Sequence, residues 1–141
     1  MGTEHQNHSS LPISINAATK LLLKLNFMNF PSWQIQLTLL LVGYDLQGYL
    51  TGNTLCPEQM IQFDNKQSVN PTYTFWQRQD KFLLHAIVAS VTESIVPLIA
   101  IAKTSQDAWE KLAKMFASKT RSRIMSLKKK LTVSHKKKID C

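Results

Sequence analysis

Nine basic residues fall between positions 119 and 138: Lys119, Arg121, Arg123, Lys128, Lys129, Lys130, Lys136, Lys137 and Lys138, with no acidic residue among them. Ammonium and guanidinium groups at this density neutralise phosphates and release counterions, which gives sequence-independent, salt-sensitive binding to RNA. Residues 1–118 hold eight basic and eight acidic residues and are neutral, so the formal net charge of +8 arises in the final stretch, less Asp140. The body is neutral and the tail is a basic arm. The arm contains no aromatic residue, so it is not expected to read bases by stacking. Two other readings of the same charges stand beside RNA binding. One is a solvated helix that keeps the chain soluble; the other is a helix lying on an acidic membrane surface through the thin Ile124, Leu127, Leu131 stripe.

Elsewhere the chemistry-bearing residues are scattered. His5, His8, His85 and His135 do not cluster, and His85, beside Leu84 and Ala86, is expected as a satisfied core or boundary histidine. Cys56 and Cys141 form no CxxC pair and have no histidine at ligand spacing, so they read as ordinary thiols rather than a zinc site. There is no Ser, His and acid arrangement, no paired-carboxylate signature and no glycine-rich phosphate loop. The reading is a non-enzyme with no cofactor, no metal and no small-molecule substrate. Trp33, Trp76 and Trp109 lie on apolar stripes and not among basic residues, so they are expected to lock helices together, the alternative being an aromatic platform for bases or a peptide groove.

The elements that must carry these residues are helical. With 141 residues, 44% hydrophobic and 18% charged, the chain has one domain's worth of core and neither a disordered nor a membrane composition. No apolar run reaches the length of a membrane span and no secretory leader opens the sequence, so the expected location is intracellular, in the cytoplasm. Residues 1–18 read as a flexible lead, 19–118 as the helical domain and 119–141 as the basic helix and tail. Lys20 to Leu25 is apolar enough to pack but too short to assign by period. Trp33, Leu37, Leu40, Leu41 and Tyr44 repeat as one helix from Ser32. Residues 51–69 form a long connection, expected to hold a short turn of helix around Pro57 to Phe63, or to move.

Asn70 to Ser90 carries the longest helical pattern, with Trp76, Leu83, Leu84, Ile87 and Val91 on one side and Gln77 to Lys81 as a polar turn. The pattern falters near Ser90, Thr92 can cap a short helix, and Pro97 demands a kink or a restart. Thr104 with Asp107 resembles a capping arrangement before a helix lined by Trp109, Leu112, Ala113 and Phe116. A last helix bears the Ile124, Leu127, Leu131 stripe. The fold class expected is all-α, a small bundle of four to five helices.

In order along the chain stand Lys24-Leu25, Asn29-Phe30 and Trp33; GYDLQGYLTG from Gly43 to Gly52; the block from Asn70 to Ile99, with W-x-x-Q-D at Trp76 to Asp80; TSQDAWEKLAKMFAS from Thr104 to Ser118; and SRIMSLKKKL from Ser122 to Leu131. This series, over residues 13–131, resembles the N-terminal gag polypeptide of plant Copia-type LTR retrotransposons. The resemblance implies a capsid-like helical region whose family role is self-association around element RNA in virus-like particles. Members of that family continue with more capsid, commonly a CCHC zinc knuckle, and then protease, integrase and reverse transcriptase. This sequence ends at Cys141 after SHKKKIDC, so a truncated gag is expected. Two alternatives remain: a host-retained adaptor that binds a partner protein through the helical domain, and a degenerate insertion without function.

Overall fold

The computed structural model describes residues 11–139, and the side chains of residues 11–118 and 124–132. Helices dominate the described chain: α1 (Ala17–Lys20), α2 (Phe30–Gly43), α3 (Gly48–Thr51), α4 (Pro71–Ala89), α5 (Val96–Ile99) and α6 (Ser105–Ile139), with strands β1 (Met60–Phe63) and β2 (Lys66–Val69) between α3 and α4. The fold is therefore mostly helical, as expected. It differs from a pure four-to-five-helix bundle by its hairpin and by three one-turn helices.

α2 starts two residues before the first apolar repeat suggests, because Pro31 occupies its first turn, where a missing N–H costs nothing. Its inner face buries Phe30, Trp33, Leu37 and Leu41. Trp33 is fully enclosed, and its indole N–H donates to Ser90 Oγ at 3.2 Å. Its ring lies 5.9 Å from that of Trp109, and Phe30 stacks on Phe116 at 4.9 Å. These contacts tie α2 to α6 through aromatic pairs, each contributing about 0.5–1.5 kcal/mol beyond burial. Trp76 stacks on Tyr49 at 5.5 Å and donates its N–H to the Thr54 carbonyl. All three tryptophans thus fasten elements together.

α4 begins where sequence places it. Asn70 Oδ1 accepts the Thr72 N–H at 3.1 Å, capping the helix, while Asn70 Nδ2 donates to the Glu58 carbonyl across the base of the hairpin. The helix ends at Ala89, and Ser90 N–H bonds back to Ala86. Pro97 then sits in the first turn of α5, the restart that proline requires. Between them, Leu25 runs parallel to Val91: its N–H donates to the Ser90 carbonyl and its carbonyl accepts from Thr92. The ambiguous Lys20 to Leu25 segment is therefore mostly extended chain, pinned to the end of α4.

Residues 60–69 correct the expected helical turn. They form an antiparallel hairpin with Met60 opposite Val69 and Phe63 opposite Lys66, closed by Asp64 (φ 51°) and Asn65 (φ 61°). Two consecutive left-handed residues make the type I′ geometry that matches strand twist, and Asp and Asn tolerate it. Both faces of the hairpin are largely exposed, so no hydrophobic alternation marks it in the sequence.

Residues 1–10 of the expected flexible lead lie outside the described residues. Residues 11–18 are docked: Ile15 and Ala17 are buried, and the Gln79 side-chain amide clasps Ile13, accepting from its N–H at 2.8 Å and donating to its carbonyl at 2.9 Å.

Candidate nucleic-acid interface

The basic arm belongs to α6, which is one continuous helix from Ser105 to Ile139 and about 52 Å long at 1.5 Å per residue. The two helices expected on either side of residue 118 are thus a single element. Its start is fixed in three ways. Asp107 N–H donates to Thr104 Oγ1 at 3.1 Å, the expected cap. Buried Asp80 accepts the Ser105 N–H at 3.0 Å and the Ser105 hydroxyl. Lys81 donates to the Lys103 carbonyl at 2.6 Å. A carboxylate facing a helix N-terminus satisfies an orphan N–H and complements the dipole.

Asp80 and Gln79 correct the polar turn expected over Gln77 to Lys81, since both are buried. The signal was present: Trp76, Asp80, Leu83 and Ile87 recur at steps of four, three and four, so Asp80 lies in the apolar stripe itself.

From this anchor α6 behaves as two pieces. Ala108, Leu112 and Phe116 are buried against the other helices, with Trp109, Ala113 and Met115 partly so. Past Phe116 no described side chain of α6 is buried. Residues 124–132 span more than two turns, so every face of the helix is represented, and all are exposed. Among the described residues, none therefore buries a face of this segment. Lys128, Lys129 and Lys130 stand in it, open to solvent on consecutive positions. Ile124, Leu127 and Leu131 form the expected stripe, 48%, 58% and 70% exposed. Of the other expected contacts, Lys119, Arg121, Arg123, Lys136, Lys137 and Lys138 lie on the helical backbone of α6, and their side chains are outside the described set. The backbone alone places all nine cations along about 28 Å of helix.

Two further surfaces were not singled out by sequence. The outer face of α2 presents Ile35, Leu39 and Val42, at 58%, 65% and 51% exposure, opposite its buried stripe. α2 carries no charged residue, so this is a neutral apolar strip. His85, expected at the core or its boundary, is exposed on the outer face of α4, where it lines a shallow cleft with Gln77, Arg78, Lys81 and Phe82. Cys56 is exposed and free, while Cys141 lies outside the described residues. Among the described residues no three His, Cys, Asp or Glu side chains converge as metal ligands, and no helix is long and apolar enough to cross a membrane.

A family model described as the gag-polypeptide of LTR copia-type matches residues 37–140. The chain is similar to the Retrovirus-related Pol polyprotein from transposon RE1 of Arabidopsis thaliana, 34% identical over 125 residues, which covers 89% of the chain and 8% of that polyprotein. It is 36% identical over 105 residues to the corresponding polyprotein from transposon RE2 of the same plant, covering 74% of the chain and 7% of the relative. The chain thus spans less than a tenth of the length of these curated relatives. No solved structure matches it.

Proposed function

The chain belongs to the gag-polypeptide family of copia-type LTR retrotransposons, and from that premise we propose that it is a non-enzymatic, capsid-type self-association module that gathers RNA on its basic arm. The observation that carries this reading is the segregation of charge on α6. A neutral, well-packed body extends a helix whose described outer side chains are all exposed and whose nine cations meet no acid before Asp140. Such a rod contacts phosphates from any side, without sequence preference. The Ile35, Leu39, Val42 strip on α2 supports self-association, because a neutral face can meet its own copy without like-charge repulsion. The module acts in the cytoplasm, where element RNA is available.

Light scattering over a range of concentrations, with and without single-stranded RNA, tests both parts. The expected result is a mass that rises with concentration and rises further with RNA. Replacing Lys128, Lys129 and Lys130 by Gln abolishes much of the RNA-dependent rise and reduces the salt slope of binding by about 2, at about 0.7 per lost phosphate contact. Leu39→Asp removes the concentration-dependent rise and leaves RNA binding intact. A monomer at every concentration that ignores RNA overturns the reading and leaves a host adaptor or a functionless fragment.

A further inference from the structure

The arm can neutralise phosphates, yet it holds no aromatic residue from 119 to 141. Exposed rings interleaved with cations occur instead on α4. Phe75, Arg78, Phe82 and His85 follow at steps of three, four and three, and Lys81 flanks them, so they share a helix face turned away from Leu83 and Ile87. Arg78, Lys81 and His85 are exposed, Phe75 is 37% exposed and Phe82 half-buried. The only acid of α4, Asp80, is buried, with one oxygen engaged by Ser105 and the other 3.5 Å from the Lys81 ammonium. The exposed face of α4 therefore carries cations and no carboxylate. Around Phe82, Gln77, Arg78, Lys81 and His85 line a shallow, open cleft of about 420 Å³.

We propose that this face is a second contact for single-stranded RNA, with Phe82 and Phe75 stacking unpaired bases while Arg78 and Lys81 take the flanking phosphates. The proposal rests on the RNA-binding reading above and adds to it a site able to recognise bases. Stacking platforms combine a basic track with aromatic side chains, and they tolerate any base because each has a π-face. Phe75 and Phe82 are seven residues apart, about 10.5 Å along the helix, so bases on the two rings come from different nucleotides. No charged residue of α2 lies on a comparable face, which leaves the apolar strip of α2 unsuited to a polyanion. The Lys81 ammonium is held near the body by the Lys103 carbonyl and by the Asp80 carboxylate 3.5 Å away, so it presents a fixed, partly neutralised charge and Arg78 is the main phosphate contact.

Photo-crosslinking of the full chain to a 4-thiouridine oligonucleotide, followed by peptide mapping, tests this. The expected crosslinks fall on the peptide containing Phe75 to His85 as well as on the arm. Phe82→Leu keeps the apolar packing and removes the flat ring; it weakens binding roughly 5- to 160-fold, the range of one lost stacked base, and reduces the preference for RNA over an abasic polymer of equal charge. Arg78→Glu, at an exposed position, weakens both polymers alike. Crosslinks confined to residues 119–138, with Phe82→Leu and Arg78→Glu binding as the parent does, overturn the second site alone. Absence of binding by the parent overturns the RNA reading and this site together.

Discussion

The two halves of α6 are made of the same helix and have opposite surroundings. From Ser105 to Phe116 one face is buried among aromatic rings, and the N-terminus is held by Asp80 and Thr104. From Ile124 to Thr132 every side chain is exposed. Both halves carry an apolar stripe, so periodicity alone does not distinguish them. What differs is the width of the stripe and the charge beside it. Ala108, Trp109, Leu112, Ala113 and Phe116 make a broad face, whereas Ile124, Leu127 and Leu131 make a single row bordered by cations. Burying the second stripe in the body would desolvate lysines without partners, which costs more than the row of apolar side chains returns.

The sharpest way to break this comparison is to truncate one leucine in each half. Leu112 is fully buried, and Leu112→Ala is expected to lower the unfolding free energy by about 2–5 kcal/mol. Leu127 is 58% exposed, and Leu127→Ala is expected to stay within about 0.5 kcal/mol of the parent. Chemical denaturation of both variants measures the difference. Equal losses would mean that the outer half of α6 packs against the body after all.

Asp80 sharpens the contrast at the helix start. Asp80→Ala leaves the Ser105 N–H buried without an acceptor, and is expected to cost about 1–3 kcal/mol. Asp80→Asn keeps one side-chain acceptor and should lose less. A full-strength helix signal for Asp80→Ala with unchanged denaturation midpoint would show that capping by Thr104 alone suffices. The same change at exposed Lys128 is expected to leave stability alone and to act on RNA binding only.

What sequence discloses follows how local the physics is. α2, α4 and the first half of α6 are legible because long 3.6-residue periods are set by one large core. The cationic arm is legible because charge count needs no structure. The hairpin is not: strands of four residues, exposed on both faces, leave no period, and only the Asp64-Asn65 pair hints at the turn. The inward position of Asp80 was hidden by its polarity, since an acid in an apolar stripe is credible only once a partner such as Ser105, 25 residues on, is in place. The unity of α6 was hidden for a related reason: the change from a wide to a narrow stripe near Ser118 looks like a boundary, although Ala, Lys and Met favour continued helix. The α4 face is not legible because its cations are few beside those of the arm, and because half-exposure of a phenylalanine depends on what fails to cover it.

The smallest expected effect lies at Asp107, the one acid in the first turn of α6. A hydrogen bond from Lys111 at 2.7 Å, above all, together with the attraction of Lys111 and Lys103 and the Lys103 backbone, holds the carboxyl below its ordinary value of 3.8 against a weaker opposing desolvation. A carboxylate whose folded value is depressed stabilises the fold at pH above its unfolded value and loses that contribution as pH falls through the folded one. The side chain is exposed, so the effect is a small change in Tm. Asp107→Asn is expected to melt slightly below the parent at neutral pH, with the gap closing below pH 3.8 as the parent carboxylate is protonated. The outer half of α6 offers no such titration, because residues 119–138 contain no acid. Melting the parent and Asp107→Asn from pH 3 to pH 7 therefore reads the electrostatic anchoring of the inner half alone. A gap that persists unchanged into acid would assign the loss to helix capping geometry and not to charge.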